Sequence, residues 1–196
     1  MANGLKMYHL QILPFINGAV GFITFLNGIS VIRDILIREN IDLVHGHFST
    51  SVTNFSTLIA AKALGVKTVM TEHTLFPFGS LETLHLNKIC KWYLKDVDAA
   101  IGVSHACKDN FVLRAKIDPN ICFTIPNAVD TSKFHPNPSL RYPLNKIIIV
   151  FVARLTARKG VDFLIDIIPE VLNKCPNAHF IIGGDGDKTP LLKELV

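Results

Sequence analysis

The chain has 196 residues, 49% of them apolar and only 18% charged, with a formal net charge of +4. A charged fraction below the globular average of about 25% excludes a disordered chain. The 20 Lys and Arg form no run long enough for a nucleic-acid stripe, so the mild positive charge suits a phosphate or an acidic membrane surface instead.

Residues 1–6 lack the ordered regions of a signal peptide. Leu10 to Ile32 carries no charge and is long enough to span a bilayer. Pro14, Asn17, Gly18, Gly21, Asn27 and Gly28 interrupt it, and predict a short strand, a loop and a buried helix. Ile41–His45 reads as a short buried strand. Ser51–Leu64 reads as a helix closed by Gly65. It contains the sequon Asn54-Phe55-Ser56, which a helical setting makes a chance match. Val66–Thr71 is a second strand, and Ser80–Lys95 an amphipathic helix. Asp98–Val103 is a third strand, with Ser104 capping a helix that runs to Ala115. Ile121–Ile125 is a fourth strand.

Pro126–Pro143 has turn-formers without a period and predicts a linker. Lys146–Val152 is almost wholly apolar, as in a central parallel strand covered on both faces. A helix over 160–173 and a strand over 178–182 follow. Strands alternating with helices predict α/β architecture with parallel sheets. The expected domains are 1–125, a linker over 126–145, and a second domain from 146 to 196. Two strands make no two-sided sheet, and no first strand with a glycine-rich turn precedes Leu5. Both domains are therefore expected to be incomplete. Cys90, Cys107, Cys122 and Cys175 show neither C-x-x-C spacing nor a disulfide framework, which points to a reducing compartment.

Ligands of open parallel sheets bind beyond the C-terminal strand ends. Polar groups gather there: His47 and Ser49, then Glu72 and His73, then Asn127 and Asp130, then Arg154 and Lys159, then Gly183 to Gly186. Arg154 and Lys159 flank a strand-to-helix turn, where a helix N-terminus and two cations would hold a diphosphate. A solvated basic loop fits the same letters equally well. Gly183-Gly184-Asp185-Gly186 permits close backbone approach, yet a plain strand-ending turn fits almost as well. His45 and His47 share a strand face, but no third ligand stands at metal spacing. His73 at a strand end has the position of a donor or base, although single histidines of this kind are more often structural.

The ordered motifs HGHFSTS (45–51), TEHTLF (71–76), IGVS (101–104), IPNAVD (125–130), ARLTARKG (153–160) and IIGGDG (181–186) together resemble retaining glycosyltransferases of the GT-B fold. The likeness is greatest to the PIG-A type, the catalytic subunits of phosphatidylinositol N-acetylglucosaminyltransferase. The resemblance implies two Rossmann-like domains. It implies transfer of N-acetylglucosamine from UDP-N-acetylglucosamine to phosphatidylinositol with retention, the first step of GPI-anchor biosynthesis. It also implies no metal or other cofactor, further subunits of a transferase complex as partners, and a place on the cytosolic face of the endoplasmic reticulum membrane. By position, Arg154 and Lys159 would bind the UDP diphosphate and His73 would sit by the transferred sugar. His47 and Ser49 would line the acceptor side, Asn127 and Asp130 the interdomain crossing, and Gly183, Gly184, Asp185 and Gly186 the nucleotide. The family's Glu-x7-Glu motif and C-terminal membrane anchor are expected beyond Val196. Without that motif, a non-catalytic piece that docks into the complex is the alternative. A nicotinamide-dependent oxidoreductase is disfavoured, because no strand–G-x-G-x-x-G–helix unit is present.

Overall fold

The computed structural model describes residues 4–10, 14–15, 19–20, 22–76, 81–137, 139 and 145–195. It divides into two compact units, Met1–Val129 and Asp130–Val196.

In the first unit, β1 (Pro14–Phe15) and β2 (Ala19–Val20) form a minimal antiparallel pair, and α1 runs over Phe22–Arg38. The uncharged stretch thus yields short strands and then a helix that continues into Arg33 and Asp34. The interruption expected near residues 17–21 lies largely outside the described residues. No helix among the described residues is long and apolar enough to cross a membrane.

Four parallel strands follow in the order β3-β4-β5-β6: β3 Leu43–His47, β4 Lys67–Glu72, β5 Ala99–Gly102 and β6 Cys122–Thr124. Helices α2 (Val52–Ala63), α3 (Leu81–Leu94) and α4 (His105–Ala115) connect them. Small residues let the backbones close up: Ala60, Ala61 and Ala100 are fully packed around Met70, Leu94 and Phe111. Ser51 caps α2 by accepting the Asn54 N–H at 3.4 Å. At the other end Gly65, at φ +72°, donates to Lys62 O, and Val66 donates to Ala61 O. That pair of bonds is a Schellman closure, and it explains why glycine ends this helix. Ser104 caps α4 by accepting the Cys107 N–H at 3.1 Å.

Two strand boundaries depart from the sequence expectation in a way that matters. β3 starts and ends two residues later than predicted, so His47 is its last residue rather than part of a loop. β4 includes Glu72, whose side chain is buried. Hydrophobicity locates strand centres, but pairing with the neighbouring strand decides where they stop.

The second unit is smaller. β7 (Ile147–Val152) pairs in parallel with β8 (Ala178–Gly183), in a sheet separate from that of β4. Helices α5 (Val161–Lys174) and α6 (Thr189–Lys193) accompany them around Leu155, Val161, Ile168 and Leu192. The expected two-sided cover of β7 is not found: Ile147, Val150 and Val152 are exposed. Among the described residues β7 has one neighbouring strand and one core face, so its other side chains meet no partner layer. Cys90, Cys107 and Cys122 are buried, Cys175 is exposed, and all four are free thiols.

Candidate functional site

At the C-terminal ends of β3 and β4 the parallel register places His45 opposite Val69 and His47 opposite Thr71. Two-residue periodicity puts His45 and His47 on one strand face, with ring centroids 4.5 Å apart. His45 Nε2 bonds Thr71 Oγ1 at 2.7 Å. His47 Nδ1 shares a hydrogen bond with His73 Nε2 at 2.9 Å, with the two rings stacked at 5.2 Å. Phe48 flanks His73 at 4.8 Å and is held at φ +60° by its N–H bond to Thr71 O. Burial holds the His47 pKa below 6.5, and repulsion from His45 and His73 lowers it further.

Beneath the histidines lies a buried carboxylate that the sequence alone leaves in a loop. Glu72 is 1% exposed. One of its oxygens accepts the Ser49 N–H at 3.0 Å and the Ser49 hydroxyl. The other accepts the N–H groups of His73 and Thr74, at 2.9 and 3.0 Å, and the Thr74 hydroxyl at 2.9 Å. Five donors satisfy a charge that would otherwise be costly to bury. The same set fixes the backbone that carries His73 and ties it to the loop that follows β3. From α3, the buried Tyr93 hydroxyl donates to Ser49 O, and burial raises its pKa. Ser49, expected on the acceptor side, is 3% exposed, so its hydroxyl is engaged by Glu72 rather than open to the surface.

Asn54 completes the support. Its Nδ2 donates to Phe48 O at 3.2 Å and approaches Met70 Sδ at 3.1 Å. A Cβ at Gly46 would lie 1.8 Å from its Oδ1, so only glycine fits that strand position. Asn54, the sequon's asparagine, is 7% exposed, so its side chain is poorly placed to accept a glycan. Among the described residues no group of three His, Cys, Asp or Glu is placed to hold a metal ion.

In the second unit, the loops leaving β7 and β8 are stitched together. Ala153 N–H donates to Gly183 O at 3.1 Å, Leu155 N–H to Asp185 O at 2.9 Å, and Lys188 N–H to Leu155 O at 2.9 Å. Gly184, at φ +138°, and Gly186 pass so near this segment that added Cβ atoms would meet Ala153 O at 1.9 Å and Leu155 O at 2.3 Å. The glycines are thus needed for loop contact, whatever else they serve. Asp185 is turned inward on its own loop, accepting Gly186 N–H at 2.8 Å and the Thr189 hydroxyl at 2.7 Å, and these bonds lower its pKa.

Arg154 and Lys159 are exposed on this rim, and neither has an ion-pair partner among the described residues. Lys159 does not start α5 as the sequence suggested. It ends a short 3-10 turn, Ala157–Lys159, and left-handed Gly160 separates it from the helix. Lys159 N–H is bonded to Thr156 O and Gly160 N–H to Ala157 O, so neither of these two N–H groups is free for an anion. Asn127 and Asp130 fall in the irregular segment after β6, where Asp130 accepts the Ser132 N–H and hydroxyl in a local turn.

Residues 1–80 match a family described as PIGA (GPI anchor biosynthesis), and residues 146–196 match glycosyl transferases group 1. Over its whole length the chain is 42% identical to a phosphatidylinositol N-acetylglucosaminyltransferase subunit of Arabidopsis thaliana and 40% identical to its Homo sapiens namesake. It spans 43% and 40% of those proteins, about two fifths of their length. Among solved structures, Anabaena HepE in complex with UDP aligns with a TM-score of 0.63 at 20% identity, covering 88% of this chain and 47% of that one. TarM aligns at 0.64 with 18% identity, covering 92% of this chain and 37% of that one. At such identities the structural likeness speaks for the fold.

Proposed function

Because this chain belongs to the PIG-A family of GT-B glycosyltransferases, we propose that it serves transfer of N-acetylglucosamine from UDP-N-acetylglucosamine to phosphatidylinositol, the first step of GPI-anchor biosynthesis. The observation that carries the reading is identity of 36–42%, over 96% or more of the chain, to six proteins named as subunits of that transferase. The geometry of the second unit supports it: two uncompensated cations, Arg154 and Lys159, stand on loops that glycine packing holds in place.

In this reading the diphosphate of the donor lies against Arg154 and Lys159. Their charge grows in value as the glycosidic bond breaks and negative charge collects on the departing UDP. The two side chains carry that charge without a metal ion. Gly183, Gly184, Asp185 and Gly186 border the nucleotide. In the first unit, His73 meets the transferred sugar, with His47 bonded behind it on the acceptor side. Transfer proceeds with retained configuration at the cytosolic face of the endoplasmic reticulum membrane, where a soluble donor and a lipid acceptor meet, and other subunits of the complex hold the enzyme there.

The test is complementation. Microsomes from cells that lack this component of the transferase, supplied with the full-length protein and labelled UDP-N-acetylglucosamine, are expected to form labelled N-acetylglucosaminyl-phosphatidylinositol. Labelled product from UDP-glucose but not from UDP-N-acetylglucosamine would overturn the donor assignment.

A further inference from the structure

The outward face of α3 is unusual for a helix that covers a parallel sheet. Its inner face buries Cys90, Tyr93 and Leu94. Its outer face exposes Leu84, Ile89 and Trp92, the last at 59%, beside the exposed Lys88, Lys91 and Lys95. Spacing of three and four residues brings these side chains onto one surface. α3 packs along α4, whose C-terminal end adds Leu113, 75% exposed, and Lys116. Lys91 and Lys116 stand close enough that repulsion between them lowers the Lys91 pKa. Glu82 lies in the first turn of α3, and Asp96, next in sequence to Lys95, is tied to Lys62 and lies 4.0 Å from Lys95. Asp109 lies one turn before Leu113 on α4.

We propose that this face of α3, extended by Leu113 and Lys116 of α4, docks on the surface of an anionic phospholipid bilayer. An indole and aliphatic side chains interleaved with lysines fit the boundary between headgroups and acyl chains: the apolar groups enter, while the ammonium groups reach phosphates. A protein partner fits less well, because lysine is depleted from protein–protein interfaces whereas tryptophan is enriched. Two ammonium groups held together, as Lys91 and Lys116 are, lose their mutual repulsion when an anion comes between them. The surface uses none of the residues assigned to sugar transfer. It brings the first unit to a membrane by its own side, independently of any anchoring segment.

Trp92 is the only tryptophan in the sequence, so its fluorescence reports this surface alone. The chain is mixed with vesicles of phosphatidylcholine, or of phosphatidylcholine with phosphatidylserine. The emission of Trp92 is expected to shift to the blue only with the anionic vesicles, and high salt is expected to reverse the shift. Joint replacement of Lys88, Lys91 and Lys95 by Glu is expected to lower partitioning by more than about tenfold, since each lysine near such a surface contributes separately. Replacement of the same three by Gln is expected to fall between, and both variants are expected to keep the parent's circular dichroism. No shift, an equal shift with neutral vesicles, or unchanged partitioning of both variants would overturn the proposal. Transfer activity is not read, so failure here leaves the proposed reaction standing, and the reverse also holds.

Discussion

Ser49 gives both of its donors, N–H and hydroxyl, to a single carboxylate oxygen of Glu72, a residue 23 positions away on the next strand. The loop after β3 and the end of β4 are thereby locked at one buried charge. The His47–His73 contact forms just above this lock, so its geometry is inherited from Glu72.

Removing the lock is expected to be costly. Glu72→Ala leaves five donors without an acceptor, three of them backbone N–H groups, and is expected to destabilise the fold by about 3 kcal/mol or more. Glu72→Gln keeps the shape but turns an amide NH2 toward donors, at about 1–2 kcal/mol. Urea unfolding at constant m-value measures both. An Ala variant as stable as the parent would mean that water replaces the carboxylate without penalty.

Two glycines are expected to suffer alike from the same change but to be rescued differently. Gly46→Ala meets the Asn54 side chain, and Gly102→Ala meets the backbone of Lys108 at 2.5 Å. Each is expected to destabilise by about 1–3 kcal/mol, the range for overpacking a close-packed site. Adding Asn54→Ser is expected to recover part of the Gly46→Ala loss and none of the Gly102→Ala loss. A double-mutant cycle with no coupling between 46 and 54 would contradict the contact.

Acid weakens the fold through His47. Its folded pKa lies below 6.5, so between the folded and unfolded values the unfolded chain binds more protons. Stability therefore rises as pH climbs through that window and levels off above about 6.5, where both forms are neutral. His47→Gln is expected to flatten the acid side of the stability profile. Imidazole NMR titration of the parent is the direct check, and a midpoint for His47 at or above 6.5 would refute the assignment.

Arg154, Arg158 and Lys159 separate a phosphate grip from a basic loop. Arg154→Ala and Lys159→Ala in the full-length protein are expected to lower transfer by about 10²–10³-fold, the effect of losing one preorganised electrostatic group. Arg158→Ala is expected to change it little. Lys159→Arg is also expected to impair transfer, because a planar fork does not replace a compact ammonium. Equal activities for the three alanine variants in the microsomal assay would remove the distinction.

Much of the fold is legible in the letters. The strand–helix alternation, Gly65 closing α2 and Ser104 opening α4 follow from local chemistry, and local chemistry is what a sequence displays. The motif order also singles out His47 and His73. Glu72 is not legible as a clamp. Next to His73 it looks like one more polar residue at a strand end, and its meaning depends on Ser49 on another strand. A weak signal is present: an acid at the end of a strand with hydroxyl residues on both sides, Thr71 and Thr74. Ser49 misleads for the same reason, since a hydroxyl after a strand looks available until its partner is known. The exposed side of β7 is hidden too, because an apolar run reads the same whether one face or both are covered.

The strand order β3-β4-β5-β6 makes the first sheet additive along the chain. Each new strand pairs with the one synthesised just before it, across a connection carrying a single α-helix. Loop closure at every step spans one βα unit rather than the whole domain. A chain emerging from the ribosome can thus lay down this sheet one edge at a time, without waiting for a distant partner. The Ser49–Glu72 lock can close as soon as β4 is out. The histidine pair would then be assembled while β5 and β6 were still being made.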